Sequence, residues 1–360
     1  MSSRHTRWVL LTGLLAAGAM GCLLPGCAYI AQAAQGQFRL LAGRVPIEEA
    51  LETVDFTDEE RELLGWVPRI KSFGEAVVGL SATPNYETIN PDFDDVVWNV
   101  SACARDRFDS HIYRYPIVGA LPYIGYFDKA DALEEQKKLQ ALGWETWVRP
   151  AGAYSTLGWF KDPLWRSMLK WDLDRLANTV LHELAHSTLW IKGEGRFNES
   201  FASFVGDEAE RRFLESIRRE APHVWTKHID READQAAYRL FMHRLVRRLE
   251  ALYDAGLSTR EVLERKQQLM DQARRDYGQM EWRLAGYEAA LGPDVVLNNA
   301  RLGQFRVYNT GSEVFDEALE RFGGDLSAFV EASRDLPSLV GRGSNRKDPY
   351  DLLKALKPPQ

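Results

Sequence analysis

The spacing of apolar positions divides the chain into stretches of different character. From 28 to 97 the period is helical: Ile30, Ala34 and Phe38 lie four apart, and Leu63, Val67, Ile70, Phe73, Val77 and Leu80 recur at threes and fours. Pro46, Pro68, Pro84 and Pro91 punctuate this stretch, which predicts short helices joined by tight loops. From 98 the character changes. Residues 111–119 and 121–127 are rich in tyrosine, isoleucine and valine and predict a hairpin or two neighbouring strands. Residues 128–142 predict an amphipathic helix ended by Gly143, and 144–149 and 153–160 predict two further strands. The order strand, strand, helix, strand, strand predicts a small antiparallel or mixed sheet with helices on one side.

Beyond Asp162-Pro163 the helical period returns, with Leu173, Leu176, Val180 and Leu184 on one side of a wheel and His182 and His186 on the other. Gly193-Glu194-Gly195 breaks it, after which Asn198 predicts an N-cap with Glu199 in the first turn of the next helix. Periodic leucines among charges over 228–288 predict a long antiparallel helix pair turning near 254–258. The polar run 298–308 interrupts that pattern, 313–336 resumes it, and the tail over 341–360 reads as loose. The expected architecture is α+β, mostly helical, with a small sheet beside the helix that carries the histidines. It forms one domain over 27–340, with a helical part at 28–97, a sheet and metal-site part at 98–220 and a helical part at 221–340.

Composition narrows the reading. At 360 residues and 45% hydrophobic content the chain can bury a substantial core. A net charge of −7 argues against nucleic-acid partners, and the basic clusters Arg211-Arg212 and 244–248 alternate with acids as solvated helix faces do.

The first 26 residues stand apart from the fold. Arg4 and Arg7 precede an uncharged apolar run over 8–20, and Leu24-Pro25-Gly26-Cys27 closes it. This resembles a bacterial lipoprotein signal, cut before Cys27, which would carry the lipid. With Ala28 and no aspartate next, such signals imply the outer membrane, facing the periplasm. Processing at Cys22 or an uncleaved anchor helix are the alternatives, and all three leave the rest of the chain outside the cytoplasm. With Cys22 removed and Cys27 acylated, Cys103 is the only remaining thiol and no disulfide framework can form.

The chemistry concentrates in TVLHELAHSTLWIKGEGRFNESFASFVG. His182, Glu183 and His186 form H-E-x-x-H, whose histidines, four apart on a helix, can offer two imidazoles to one zinc ion. Glu183 stands where a general base could take a proton from metal-activated water, and Glu199 is the candidate third ligand. Tyr308 and Tyr154 are candidate donors to an oxyanion. Residues 151–160 read as an edge strand in which Ser155, Thr156 and Gly158 would suit close backbone approach, or as a plain structural strand whose Tyr154, Leu157 and Trp159 fill the core. The resemblance of H-E-x-x-H to the zincins implies that such a strand borders the cleft and pairs with an extended peptide.

HELAH followed by NESFA is similar to the gluzincin metallopeptidases, in which H-E-x-x-H is completed by N-E-x-x-A on the next helix. The blocks GAYSTLGWFKDP, LHELAH, RFNESFASFVG and NNARLGQFRVYN, with YIAQAAQGQFRLL shortly after Cys27, resemble the bacterial predicted aminopeptidases exported as lipoproteins. The resemblance implies a zincin-like fold, His182, His186 and Glu199 as zinc ligands, Glu183 as catalytic base and peptides as substrates. Two departures stand out: only 12 residues separate His186 from Glu199, and the G-x-M-x-N signature that reads a free amine is absent. The expectation is a zinc-dependent peptide hydrolase, best read as an aminopeptidase. An envelope scaffold or chaperone-like lipoprotein with structural zinc and a zinc hydrolase of non-peptide amides are the rivals.

Overall fold

In a computed structural model the chain is described over 35–358, leaving out 37, 40, 94–96, 116–118, 151–161, 310–311 and 342–344. Strand β1 (Val45–Pro46) leads into α1 (Ile47–Thr53), with Pro46 extended at φ −53° and ψ 144° as the junction. Helix α2 (Asp58–Ala76) begins at a reciprocal cap: the Thr57 hydroxyl accepts from the Glu60 amide at 3.2 Å, and the Glu60 carboxylate accepts from the Thr57 amide at 3.0 Å. It then runs through Pro68, where the sequence predicts a break. A proline inside a helix costs about 3 kcal/mol, yet Leu63, Leu64, Val67 and Ile70 are all buried around it and each such side chain returns roughly 1.5–3 kcal/mol. Burial therefore decides the helix.

Strand β2 (Thr88–Asn90) pairs antiparallel with β1. Strand β3 (Trp98–Cys103), absent from the sequence reading, is the centre of the main sheet. Val100, Ser101, Ala102 and Cys103 are all buried, so the run lacks the alternation that marks a strand with one wet face. The stretch read as two strands over 111–119 and 121–127 holds three: β4 (Tyr113–Tyr115) and β5 (Gly119–Leu121) pair as a hairpin, and β6 (Tyr123–Tyr126), in the second expected strand, pairs with β3 instead. Asp128 caps α3 (Lys129–Ala141), its carboxylate accepting from the Ala130 amide at 2.7 Å, and Gly143 at φ +86° turns the chain out of it. Strand β7 (Glu145–Pro150) then completes an antiparallel sheet in the order β6-β3-β7. The expected strand over 153–160 lies outside the described residues.

Where a helix is expected from Asp162, β8 (Leu164–Trp165) joins β2 in parallel, followed by a 3-10 turn (Arg166–Lys170). Helices α4 (Leu173–Thr188) and α5 (Gly195–Ser216) are the most intimately packed pair among the described residues. Two glycines permit this. A Cβ on Gly74 of α2 would stand 2.8 Å from Leu181 Cδ2, and one on Gly206 of α5 would stand 3.1 Å from His182 Cβ and 3.2 Å from its Cα. Helix α4 is thus wedged between α2 and α5, in one core with Leu64, Ile70, Phe201 and Phe213. Its apolar side is wider than the wheel suggests, since Leu181 and Ala185 are buried along with Leu176, Val180 and Leu184.

The long pair α6 (Pro222–Tyr253) and α7 (Thr259–Tyr277) turns where the sequence predicts, with a Ser258–Glu261 capping box opening α7. Met242, Leu249, Met270 and Tyr277 form its core. The polar run after Asn298 is not an interruption but helix α8 (Asn299–Asn309), which packs on β3 and β7 and also on α5, so the sheet has helices on both faces and reaches the α4–α5 pair through α8. The predicted helix over 313–336 is divided into α9 (Ser312–Arg321), α10 (Leu326–Ser333) and α11 (Leu336–Val340), the first break being at Gly323 and Gly324, both at positive φ. Part of the expected loose tail is also ordered. Helix α12 (Pro349–Ala355) docks on α9 and α11 with Leu353 fully buried. The fold is α+β and mostly helical, and no helix among the described residues is long and apolar enough to cross a membrane.

Candidate metal centre

His182 and His186, one turn apart on α4, face Glu199 across the interface with α5. His182 Nε2 is 3.7 Å and His186 Nε2 3.6 Å from the same oxygen, Glu199 Oε2. These separations are too long for hydrogen bonds, whereas two metal–ligand bonds of about 2.1 Å at a tetrahedral angle put their ligand atoms roughly 3.4 Å apart. The three ligand atoms lie within 4.8 Å of one another, and the two imidazoles stand nearly perpendicular at 86°. His186 Nδ1 and Glu183 Oε2 are buried with no hydrogen-bond partner among the described residues. A cluster of buried polar atoms left unpaired is costly, and two imidazoles with a carboxylate are a donor set that suits zinc. The two imidazoles differ in exposure: the His182 side chain is 19% exposed and that of His186 4%, and the Trp190 ring packs edge-on against His186 at 5.6 Å.

The electrostatics follow from this packing. Burial alone would lower the pKa of the His182 imidazole, but the carboxylates of Glu199, Glu183 and Asp207 outweigh it and raise the value. For Glu199 burial acts upward, and the imidazoles of His186 and His182 overcome it, holding the carboxyl well below the usual range. Asp207 is fixed in its place. Its Oδ1 accepts from Asn178 Nδ2 at 2.9 Å, one turn ahead of His182 on α4, and its Oδ2 accepts from Arg239 of α6 at 2.9 Å. Behind it Arg231 binds both Asp174 and Glu210, so α4, α5 and α6 are locked together by charge as well as by apolar contact.

A family model described as "Putative aminopeptidase" matches residues 28–347. The chain belongs to this family. No curated protein and no solved structure matches it. Membership of the aminopeptidase family makes the chain a peptidase-like hydrolase, and the matched span contains both α4 and α5.

Within this aminopeptidase-family chain the structure brings His182, His186 and Glu199 together, with Glu183 buried beside them. Cys27, Tyr154, Ser155, Thr156 and Gly158 lie outside the described residues; so does the Tyr308 side chain, although its backbone belongs to α8. Asn198 is not the N-cap. Helix α5 already starts at Gly195, so Asn198 is its fourth residue, and its side chain reaches back to the loop, accepting from the Ile191 amide and donating to the Ile191 carbonyl, both at 2.9 Å. That pairing fixes the link between the ligand helices immediately before Glu199.

Sequence reasoning also missed Tyr86. Its backbone sits at φ +60°, the one non-glycine residue with positive φ among the described residues, a conformation uncommon for a bulky side chain and held only where neighbours over-determine it. Those neighbours are visible: the Tyr86 amide donates to the Asp162 carbonyl at 2.8 Å, and Asn85 bonds both the Asp162 amide and Ser187 Oγ on the last turn of α4. Burial, then the charges of Glu183 and Asp162, push the Tyr86 phenol well above its ordinary pKa. No local signal in the sequence marks this position, because the strain comes from contacts with residues about 76 to 102 positions away.

Proposed function

We propose that this protein is a zinc-dependent peptide hydrolase of zincin-like architecture, best read as an aminopeptidase, in which His182, His186 and Glu199 hold the ion and Glu183 is the general base. The observation that carries the reading is the convergence of His182 Nε2 and His186 Nε2 on one Glu199 oxygen at 3.6–3.7 Å, beyond hydrogen-bond reach. When bound, zinc lowers the pKa of water and polarises a carbonyl. Glu183 supplies the proton transfers: its Oε2 is buried and engaged by no donor among the described residues, free to accept a proton from the attacking water and return it to the departing amine. Asp207, held by Asn178 and Arg239, keeps negative charge beside the His182 imidazole. His182, the more exposed of the two imidazoles, marks the side from which a peptide would enter.

The test is Glu183→Gln. It should retain the metal content of the wild type and lose peptide hydrolysis by about 10²- to 10⁴-fold. Wild-type protein that binds zinc and cleaves nothing in a peptide library would turn the site into a structural one and favour an envelope scaffold. Cleavage of N-blocked peptides alone would remove the aminopeptidase assignment and keep the hydrolase.

We further propose that Cys27 is the lipid-bearing residue and that the protein faces the periplasm from the outer membrane. Cys27→Ala should then abolish acylation and membrane retention, whereas unchanged processing would point to Cys22 or an uncleaved anchor.

A further inference from the structure

The third ligand stands on a different helix from the first two, so the geometry of the cluster depends on the link over 189–194. That link is held from inside by Asn198, itself fully buried. From outside it is held by the C-terminal segment. Arg346 Nη2 donates to the Lys192 carbonyl at 2.7 Å, and its Nε and Nη2 lie 3.0 and 2.6 Å from Glu194 Oε1. Glu194 is the residue from which α5 starts. Gly193 between them turns at φ +83°, and the nearest atoms to a Cβ there would be those of the Arg346 guanidinium, at 3.4 Å. Four residues on, Tyr350 of α12 crosses α5 at the ligand itself: its hydroxyl is 3.2 Å from Ser200 Oγ, and its ring meets Phe197 edge-on at 5.1 Å. Phe197 and Ser200 bracket Glu199.

The segment is also anchored independently of the candidate ligand helices. At its far end Leu353 is fully buried and its carbonyl accepts from Arg321 Nη2 at 3.1 Å, while beside Arg346 the Lys347 amide donates to the Val340 carbonyl at 2.9 Å. A segment fixed at one end and bonded to the ligand link at the other constrains where α5 can place Glu199 relative to α4. We infer that the segment over 345–355 is a strap that positions the third metal ligand, Arg346 and Tyr350 being its working contacts. The inference rests on the metal-centre reading above, and it assigns neither residue a place among the ligands or in the proton transfers.

The strap predicts an effect on how long metal is held. The Arg346–Glu194 pair is 39% and 29% exposed, and ion pairs of that kind contribute little to folding, so Arg346→Ala should leave the melting temperature of the metal-free protein nearly unchanged. Partners that orient metal ligands directly are worth about 10- to 100-fold in affinity; one step further out, Arg346→Ala should speed zinc loss to a chelator by about 3- to 10-fold. Arg346→Lys, which keeps the charge without the planar fork, should recover part of this. Tyr350→Phe, which removes only the hydroxyl, should show a smaller acceleration in the same direction. Glu194→Ala should add nothing once Arg346 is already alanine, because the two act through one contact. Zinc loss at the wild-type rate in Arg346→Ala and Tyr350→Phe would overturn the strap, as would an acceleration matched by an equal fall in metal-free stability. Wild-type protein that takes up no zinc would remove the metal-centre reading and the strap with it, an outcome distinct from both.

Discussion

The buried polar cluster where the sheet meets α7 and α8 and the one between α4 and α5 use similar side chains and are finished differently. At the first, Lys266 Nζ lies 2.6 Å from Glu145 Oε2 and 2.8 Å from the Arg105 carbonyl, and the Asn299 amide donates to the same Glu145 oxygen at 2.7 Å. The Asn299 side chain donates to the carbonyls of Ala104 at 2.9 Å and Arg107 at 3.1 Å, and accepts from the Tyr253 hydroxyl at 2.7 Å. The donors and acceptors named here are matched. Between α4 and α5, by contrast, His186 Nδ1 and Glu183 Oε2 have no partner among the described residues, and the imidazoles stop short of hydrogen-bonding distance from Glu199. A closed network holds elements together, and an open one keeps groups available for something that arrives. The contrast separates a structural junction from a candidate site without appeal to sequence identity.

Substitutions can break that contrast. The largest effect is expected at the closed junction: Lys266→Ala leaves Glu145 partly buried without its cation, a loss of about 3–5 kcal/mol when one partner of a buried pair is removed. Chemical denaturation should show it, while zinc uptake per folded molecule stays at the wild-type level. Equal stability of variant and wild type would mean that the junction is not closed in the sense argued. At the open site Glu199→Ala should act on metal instead, weakening zinc binding by about 100-fold or more, or roughly 2.8 kcal/mol. A calorimetric titration giving wild-type affinity would exclude Glu199 as a ligand. Asn299→Ala should fall just below these, at about 2 kcal/mol of stability for the hydrogen bonds it abandons, again with metal binding intact.

The two regions also differ in how far they were legible. HELAH and Glu199 could be paired from spacing alone because four residues make one helical turn and the link is short. The helix that opens after Asp128 and the α6–α7 pair with its turn are local in the same way. The closed junction was hidden. Asn299 looks like a loop residue until it is seen bonding three carbonyls of the segment after β3, and β3 is silent because both of its faces are covered. Pro68 and the tail misled for a related reason: the burial of Val67 and of Leu353 is decided by distant partners, not by neighbours in sequence. Asn198, Tyr86 and Arg346 share that fate, so the candidate ligands could be read and most of what holds them could not.

The pH dependence of the open site is the subtlest distinction. In the metal-free protein burial pushes Glu199 upward and the imidazoles of His186 and His182 pull it below the ordinary carboxylate value. Burial lowers His182, and Glu199, Glu183 and Asp207 raise it above its ordinary value. A lowered carboxyl contributes stability that is present above its unfolded value of about 4.3 and lost as pH falls through the folded one. A raised imidazole contributes stability that is present below its unfolded value of about 6.5 and lost as pH rises through the folded one. The metal-free protein should therefore be most stable in mildly acidic solution and weaken above about pH 6.5. Zinc requires both imidazoles unprotonated, so the stabilisation it confers should grow across the same window. Melting temperatures of the metal-free and zinc-loaded protein should diverge as pH rises, and Glu199→Gln should flatten the metal-free profile. Parallel curves for the two forms would mean that the imidazoles do not meet the ion, and the open cluster would then need another explanation.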